Sequence, residues 1–565
     1  MEGQSVIYRN ETIVVLNSSN YNYPIFQQEI SQGILLILEG RIFGESFESI
    51  AAELKSVGAD SMDDRLTHYS FNLDGEFFFY KIDTRSNKIL VVGDHLNRLP
   101  LYFGSDGQQW IVSRQISIAA LFMRSKINKV NLAEFMVFDY NLSDRTWFDN
   151  LYFLQIDDFI EVDTLRNDLR VKRKPETYDF GNKTVGVITE DLLLNMADIF
   201  LQACSVRADE INVLSMSGGM DSRSVAAGLV KNSKALAGVT FENAEKTALY
   251  DSIIAEEIAD SLGIKWHKVA LSRDSFLEDV DSLMNIKMSI QPCRFYYLYQ
   301  FCAEVQKKFG NDITFFTGDG GDKVFPDLGR NLKFNDDYKL FKFIIRENHE
   351  FSVEHASAIV GISSKDLENQ IFSYIRSLPA KTSSNKLEQF ILRARMKRYI
   401  FEGEDRNRNY FWSTTPFLSK RFFSLMMSIS PQIKRQELFY FEFISRLNRE
   451  VAEIRNENFS KGKFQVNKGL YSFIKGLSNQ FLSRKSKEHL KSIFKSSSAP
   501  SDSARQYVSE IKRMLPANNL LDKKALSGSL SDYSTGQLSL ILTYLKVSEF
   551  LKRENSEVEY LEEQV

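Results

Sequence analysis

Cysteine is scarce in this chain of 565 residues. Only three occur, Cys204, Cys293 and Cys302, and no two of them have the C-x-x-C spacing of a metal site or a redox centre. The six histidines offer no cysteine partner at ligand spacing. These absences argue against a disulfide framework and a structural zinc site, and they favour a reducing, cytoplasmic environment.

Long apolar runs and an excess of one charge are also missing. A run such as Ile34–Leu38 is far shorter than the roughly 18 residues of a membrane-spanning helix. The first residues, MEGQSVIYRNE, are charged and contain no apolar core of signal-peptide length. Lys and Arg total 71 and Asp and Glu total 74, a net charge of −3. We therefore expect a cytoplasmic protein with neither a membrane nor a nucleic acid as its partner.

Two secondary-structure patterns follow one another along the chain. The first 175 or so residues contain short alternating or apolar runs, such as GILLILEGRIFGE and FNLDGEFFFYKID, which predict stacked β-sheets. From about residue 185, strand-like runs (INVLSM, ALAGVTF, IKWHKVAL, ITFF) alternate with helical segments. Such alternation predicts parallel βαβ units. Residues from about 335 to 455 are predicted to be helical, and DYSTGQLSLILTYLKVSEFLKRE to form one final amphipathic helix.

The segment SGGMDS (217–222) directly follows the predicted strand INVLSM and precedes a predicted helix. Its two glycines allow backbone N–H groups to close around an anion, and the helix directs its positive end to the same place. Ser217 and Ser222 add hydroxyl donors. Asp221 would repel a bare phosphate, so we interpret it as a Mg²⁺ ligand. The alternative is a glycine-rich turn that binds nothing.

A second acidic loop, GDGGD (318–322), directly follows the predicted strand ITFF. The carboxyl ends of parallel strands meet at one crevice of an open sheet, so this loop can face the first. Two acidic groups there suit a second Mg²⁺ ligand and a nearby acid or base. On its own, the segment would be read as a surface turn.

Together the two loops resemble those of the asparagine synthetase family, which carries S-G-G-x-D-S and G-[DE]-G-x-D-E segments. LDGEFF (73–78) and DHLNRLPLY (94–102) resemble this family's class II glutamine amidotransferase domain. Asp405-Arg406, TPFL (415–418) and KGKFQV (461–466) resemble later family segments in the same order.

This resemblance implies an α/β protein of three parts. Residues 1–178 would form an Ntn-hydrolase-like α+β sandwich, a degenerate amidotransferase domain. Residues 185–480 would form a parallel-sheet, PP-loop ATP-pyrophosphatase domain. Residues 481–565 would be a helical C-terminal extension with a Ser-rich linker.

The resemblance also implies an ATP- and Mg²⁺-dependent reaction. A small-molecule or peptide carboxylate attacks the α-phosphorus of ATP, and ammonia or another amine then displaces AMP from the acyl-adenylate. Asp221 and Asp322 would bind Mg²⁺. The residues implied in ATP and pyrophosphate binding are Ser217, Gly218, Gly219, Asp221, Ser222 and Gly318.

Two further residues are implied in the chemistry. Asp319 occupies the position of a family residue that helps the attacking amine lose its proton. Lys461 occupies that of a lysine that stabilises the developing oxyanion. The alternative for Lys461 is a solvated loop lysine.

The N-terminal half departs from the family pattern. Glu2 stands where the family has its nucleophilic cysteine, and none of the three cysteines lies near this position. The glutamine-binding N-G-E segment is replaced by Glu39-Gly40-Arg41. We therefore expect a vestigial glutaminase, retained for packing or substrate recognition.

The synthetase part is altered on the acceptor side. Lys323 replaces a Glu, Ser419 replaces the Asp of P-F-L-D, and the Glu of E-x-R-x-P-F is missing. The resemblance extends to branches with a cysteine-less amidotransferase domain, which close β-lactam or lasso-peptide rings or amidate sugars. The sequence leaves open aspartate plus ammonia and a specialised peptide or sugar substrate.

Two readings of other classes compete with this ligase. The first is a nucleic-acid-modifying PP-loop enzyme, which the neutral charge and the absence of cysteine pairs disfavour. The second is a non-catalytic ATP-binding scaffold, which the presence of Asp221 and Asp322 disfavours.

Overall fold

The computed structural model describes residues 4–18, 23–178, 183–231, 235–242, 249–326, 330, 332–455, 502–518, 520–526 and 530–562. Its strands are β1 (Gln4–Arg9), β2 (Val14–Ser18), β3 (Ile25–Ser31), β4 (Ile34–Phe43), β5 (Asp74–Asp83), β6 (Lys88–Gly93), β7 (Tyr102–Ser105), β8 (Trp110–Ser113), β9 (Leu151–Phe153), β10 (Asp158–Asp163), β11 (Asp168–Arg173), β12 (Asn212–Ser215), β13 (Leu236–Glu242), β14 (Lys265–Ala270), β15 (Thr314–Phe316) and β16 (Trp412–Thr414).

The α-helices are α1 (Phe47–Val57), α2 (Ala59–Asn72), α3 (Ile116–Phe122), α4 (Lys129–Phe138), α5 (Glu190–Arg207), α6 (Met220–Val230), α7 (Leu249–Leu262), α8 (Phe276–Lys287), α9 (Tyr296–Phe309), α10 (Gly321–Val324), α11 (Asp337–Asn348), α12 (Val353–Val360), α13 (Ser364–Ser377), α14 (Ser383–Phe390), α15 (Glu402–Asn407), α16 (Lys420–Ser428), α17 (Pro431–Lys434), α18 (Glu437–Leu447), α19 (Arg449–Glu453), α20 (Asp502–Met514) and α21 (Thr535–Glu562). Short 3₁₀ turns occur at Cys293–Phe295, Pro416–Leu418, Leu515–Ala517 and Leu530–Asp532, and a π-helix at Ile391–Phe401.

The N-terminal strands build two stacked antiparallel sheets. The larger sheet has the order β11-β10-β6-β5-β4-β3 and the smaller one β8-β7-β9, while β1 and β2 form a separate hairpin. Side chains alternate along a strand, so Phe77 and Phe79 of β5 pack on α1 and α2, whereas Phe78 faces the smaller sheet. The predicted α+β sandwich is confirmed.

A five-stranded parallel sheet follows, with the order β14-β13-β12-β15-β16. In the central strand β12, Leu214 packs on α5, α6 and α7, whereas Val213 packs on the opposite face with α9. Helices therefore cover both faces, as a parallel sheet requires. The predicted parallel α/β unit is confirmed, and β12 and β15 end side by side at the same edge.

A third apolar core joins the two halves of the chain. It combines α3 and α4 of the N-terminal part with α8, α11 to α14, α20 and α21. Leu538, Ile541 and Leu545 of α21 are buried in it, and Tyr544 lies 6.2 Å from Trp147, centroid to centroid. The last helix therefore packs on both parts of the chain. Among the described helices, none has the length and apolar character to cross a membrane.

Two features of the fold were not predicted from the sequence. The strand β16 consists of three fully buried residues, too few to create a visible alternation. The helices α1 to α4 were overlooked inside the β-rich part, although the Ser46 hydroxyl caps α1 by accepting from the Ser49 N–H. A Ser followed by an amphipathic run was a usable signal at this position.

Candidate active site

The loop from Met216 to Gly219 connects β12 to α6 and is closed by hydrogen bonds of its Ser217 and of Ser222 in α6. The Ser222 hydroxyl donates to the Ser217 carbonyl at 3.0 Å and accepts from the Ser217 N–H at 3.1 Å. The Ser217 hydroxyl accepts from the Gly219 N–H at 3.2 Å. These bonds fix a tight turn at the positive end of α6, which is a suitable place for an anion.

Behind this loop lies Arg223, whose side chain is almost fully buried. Its guanidinium donates to the carbonyls of Gly218 at 2.8 Å and of Gly219 at 3.1 Å. It also donates to three carbonyls within and after α19, those of Val451, Ile454 and Arg455. The loop carbonyls are therefore held on the Arg223 side, and one side chain joins the loop to the chain around residue 455.

The Gly218 N–H already has an acceptor. It donates to Asp251 Oδ1, in the first turn of α7, at 2.9 Å. A carboxylate thus holds one donor of the loop, and a phosphate that uses this N–H must displace Asp251.

The second loop lies directly against the first. A Cβ on Gly318 would come within 2.7 Å of the Ser222 N, and one on Gly321 within 2.4 Å of the Asp221 Cγ. Both positions therefore require glycine for this close approach. Gly320 has a φ of +92°, a conformation that other residues rarely adopt, and it starts the short helix α10. The two loops form one crevice.

Asp221 lies between the two loops. Its Oδ1 accepts a 2.6 Å hydrogen bond from the Tyr440 hydroxyl. Burial and the nearby Asp322 carboxylate raise the pKa of Asp221 to about 7, with Asp319 adding to the shift. The crevice therefore concentrates negative charge.

Asp319 and Asp322 contribute the other two carboxylates. Burial, together with the charges of Glu404 and Asp322, raises the pKa of Asp319 to about 6. Asp322 is more open, with 58% of its side chain exposed, and it forms an ion pair with the buried Lys323. Asp319 is thus shielded and can act on a proton near neutral pH, whereas Asp322 faces solvent.

The composition of the crevice fits Mg²⁺ only when a phosphate is also present. Mg²⁺ is usually held by one or two carboxylates together with phosphate oxygens and water. Asp221 and Asp322 supply two carboxylates, and a cation would relieve their repulsion. Within the part of the chain that the structure describes, no group of three or more His, Cys, Asp or Glu side chains is arranged to hold a metal ion. Lys461, the predicted oxyanion residue, lies outside the described residues.

Sequence reasoning missed three residues of this crevice. Arg223 follows the first loop directly, and an arginine there could have been recognised as a brace for its carbonyls. Asp251 offered the signal of an acid at the start of the helix after the next strand. Tyr440 offered no signal, because it is 219 residues away from Asp221.

A comparison with protein-family models matches residues 198–526, more than half of the chain, to asparagine synthase. The chain belongs to the asparagine synthase family. Membership supports an ATP-dependent amide ligase that acts on small molecules, and the two-loop crevice lies inside the matched range. No curated protein matches the chain.

Several solved structures are similar in part to this asparagine synthase family member. NMN synthetase from Francisella tularensis is 14% identical, covering 40% of this chain and 97% of its own, with a TM-score of 0.19. The U34-tRNA thiolase NcsA from Methanococcus maripaludis is 13% identical over 53% and 93%, with a TM-score of 0.20. Glutamine-dependent NAD+ synthetase from Acinetobacter baumannii is 13% identical over 57% and 74%, with a TM-score of 0.18. TM-scores this low support no statement about activity.

The P-F-L segment of this family member supports the second loop. The Thr415 hydroxyl donates to the Asp319 carbonyl at 2.7 Å, and the Leu418 side chain packs on Gly320. The Leu418 carbonyl in turn accepts from Arg98 Nη1 at 2.9 Å and contacts His95 Nε2 at 3.2 Å. Two side chains of the N-terminal DHLNRLPLY segment therefore brace the loop that carries Asp319.

The neighbouring Asp405-Arg406 pair is buried in polar contacts. Asp405 forms ion pairs with Lys287 and with Arg114 of the N-terminal part. Arg406 donates to Gln291 Oε1 at 3.1 Å. This pair therefore helps to connect the two halves next to the crevice.

The altered segment Glu39-Gly40-Arg41 makes internal contacts. The Glu39 carboxylate accepts from the Tyr23 hydroxyl at 3.0 Å and the Tyr80 hydroxyl at 2.7 Å. Arg41 forms an ion pair with Asp209, just before β12, at 2.5 Å. Glu39 thus packs within the N-terminal part, whereas Arg41 connects that part to the parallel-sheet part. The three cysteines, Cys204, Cys293 and Cys302, are free and buried.

Proposed function

We propose that this member of the asparagine synthase family adenylates a substrate carboxylate with ATP and transfers the acyl group to ammonia or an amine. The observation that carries the proposal is the contact between the two loops, which places Asp221 beside Gly321 and Ser222 beside Gly318. The N–H donors, hydroxyls and carboxylates of both loops thus surround one crevice.

In the first step, a carboxylate oxygen attacks the α-phosphorus and pyrophosphate leaves with the bonding electrons. We assign Ser217, Gly218, Gly219 and Ser222 to the pyrophosphate, with Gly318 closing the opposite side. Asp221 and Asp322 would hold Mg²⁺, which supplies positive charge next to the phosphates. Asp251 gives up the Gly218 N–H when the phosphate arrives.

In the second step, the amine nitrogen attacks the acyl carbon and AMP leaves. The nitrogen must lose a proton, and Asp319 is the group we assign to accept it. A pKa of about 6 keeps Asp319 mostly ionised at neutral pH while leaving it a better base than a free carboxylate. Lys461 remains our proposal for stabilising the oxyanion.

We further propose that the chain has no glutaminase of its own and receives ammonia or an amine directly. Support comes from the internal hydrogen bonds of Glu39 and the buried position of every cysteine. Glutamate release from glutamine by the purified protein would overturn this part of the proposal. The buried free thiols also favour the reducing cytoplasm as its place of action.

The carboxylate substrate is open between aspartate and a specialised peptide or sugar acid. The replacement of the family's Asp by Ser419 favours a changed acceptor side. Ser419 directly follows the P-F-L segment and is buried. Either substrate uses the same adenylation crevice.

The test is exchange of ³²P-labelled pyrophosphate into ATP with Mg²⁺, with and without L-aspartate. We expect exchange that requires a carboxylate and is lost in Asp221→Ala. The matched control is Asp312→Ala, an exposed acid at the opposite end of β15, which should exchange normally. Aspartate-dependent exchange would identify aspartate as the substrate, and exchange with another carboxylate would identify a specialised one. Exchange that survives in Asp221→Ala would overturn the assignment of Asp221.

Two contacts favour a second candidate, a non-catalytic ATP-binding scaffold. Asp251 holds the Gly218 N–H, and Lys323 pairs with Asp322, so protein groups already satisfy part of the crevice. On this hypothesis ATP binds, but no carboxylate from a panel of amino acids, peptides and sugar acids supports exchange. ATP binds under both candidates, so carboxylate-dependent exchange separates them. Calorimetry with ATP shows whether the nucleotide is bound when exchange is absent.

A further inference from the structure

Tyr440 connects α18 to both loops of the crevice. Its ring stacks on that of Phe325, with the centroids 3.9 Å apart and the planes at 6° to each other. Phe325 directly follows α10, the helix that ends the second loop. The Tyr440 hydroxyl reaches Asp221, in the first turn after the first loop. One side chain thus contacts both walls of the crevice.

The hydrogen bond fixes one oxygen of Asp221 and leaves the other available. Oδ1 accepts from Tyr440, whereas Oδ2 accepts no hydrogen bond from the described residues. Gly321 packs against the carboxyl carbon and limits its rotation. Tyr440 itself is 1% exposed, so bulk water does not compete with Asp221 for its hydroxyl.

We propose that Tyr440 is a positioning residue that orients the Asp221 carboxylate for a divalent cation bound together with pyrophosphate. The inference rests on the proposed function, because it takes Asp221 as a metal ligand. Partners that orient a ligand in this way commonly change metal affinity by about 10- to 100-fold when they are removed. In this role Tyr440 acts through the Asp221 carboxylate, to which its hydroxyl donates, and not on the cation itself.

A purely structural role for Tyr440 predicts something different. A buried tyrosine needs an acceptor for its hydroxyl, and Asp221 could serve merely as that acceptor. Replacing Tyr440 by Phe would then change stability but leave metal binding as it was. The two roles therefore separate in a binding measurement that does not depend on turnover.

The experiment titrates Mn²⁺ into the full chain in the presence of pyrophosphate, followed by electron paramagnetic resonance. Tyr440→Phe keeps the ring that stacks on Phe325 and removes only the hydroxyl. We expect Mn²⁺ to bind about tenfold more weakly in this variant. The matched control is Tyr374→Phe in α13, whose buried hydroxyl has no hydrogen-bond partner among the described residues and which should bind Mn²⁺ like the parent.

The outcomes distinguish this inference from the function beneath it. Unchanged Mn²⁺ affinity in Tyr440→Phe, together with weakened binding in Asp221→Asn, would overturn the role of Tyr440 and keep the metal site. Unchanged affinity in both variants would overturn the metal site itself. Weakened binding in Tyr374→Phe as well would point to general loss of structure and also contradict the inference.

Discussion

At the scale of single residues, the clustered carboxylates of the crevice lower the free energy of unfolding when they are ionised. Asp221 has a pKa near 7 in the folded chain and 3.8 as a free side chain, so the folded state disfavours its ionised form. Its contribution to stability is therefore fully present below about pH 4 and is lost as the pH rises to 7.

This sign leads to a prediction for Asp221→Asn in the absence of Mg²⁺. The variant cannot ionise, so we expect its melting temperature to exceed that of the parent, with a larger difference at pH 8 than at pH 5. A change in this difference of about 1 °C corresponds to about 1 kcal/mol in a protein of this size. Thermal unfolding in EDTA at both pH values measures it. An equal difference at the two pH values would contradict the assigned pKa.

Asp319 gives a second prediction at this scale, because only the amine step needs its base. In Asp319→Asn we expect pyrophosphate exchange to persist, while amide formation falls by about 100-fold or more, the usual contribution of a general base. In the parent, amide formation should rise as the pH increases through 6, where Asp319 ionises. Measuring pyrophosphate exchange and amide product in parallel shows whether Asp319 acts as a base or only helps to bind ATP. Equal losses in both assays would argue against the base.

At the scale of secondary-structure elements, the brace between the DHLNRLPLY segment and the P-F-L segment is the testable unit. Arg98 is fully buried, and its guanidinium donates to the Leu418 carbonyl and pairs with the buried Glu76. Arg98→Gln leaves Arg408, 3.6 Å away, as the remaining cation beside the Glu76 carboxylate, and it should cost about 3–5 kcal/mol of unfolding free energy.

A double variant separates charge from bracing. In Arg98→Gln with Glu76→Gln, the poorly compensated charge of Glu76 is gone, so we expect much of the stability to return in urea unfolding. The bond to Leu418 is still altered, so the pyrophosphate exchange rate should stay below that of the parent. Full recovery of both properties would show that Arg98 serves only to neutralise Glu76.

How much could be predicted also depends on the element. The strands β12 to β15 and the helices between them followed from alternating runs of suitable length, because local pattern and burial agree there. The strand β16 and the bond from Tyr440 to Asp221 did not, because both depend on contacts between residues distant in sequence. The contact partners of Glu39 and Arg41 were likewise not predicted, because a segment that departs from a family pattern does not reveal its new partners.

At the scale of the whole molecule, the two halves share cores and buried ion pairs. Trp412 of the parallel sheet packs in the core between the N-terminal sheets, and Arg207 of α5 pairs with Asp74 of β5. We therefore predict one cooperative calorimetric transition. Phe77→Ala, a cavity in the N-terminal core worth about 3–5 kcal/mol, should lower the temperature of that single transition. Two resolved transitions, with only one shifted by the substitution, would mean that the halves unfold independently.

The three buried cysteines have a practical consequence for spectroscopy. Burial raises the pKa of Cys293 and of Cys302 to about 12, and Cys204 is shifted upward as well, so none of them offers a reactive thiolate at neutral pH. We therefore expect maleimide dyes to label the three existing cysteines very little. A single cysteine placed at exposed Leu165 would carry the label alone and report on the N-terminal half during turnover.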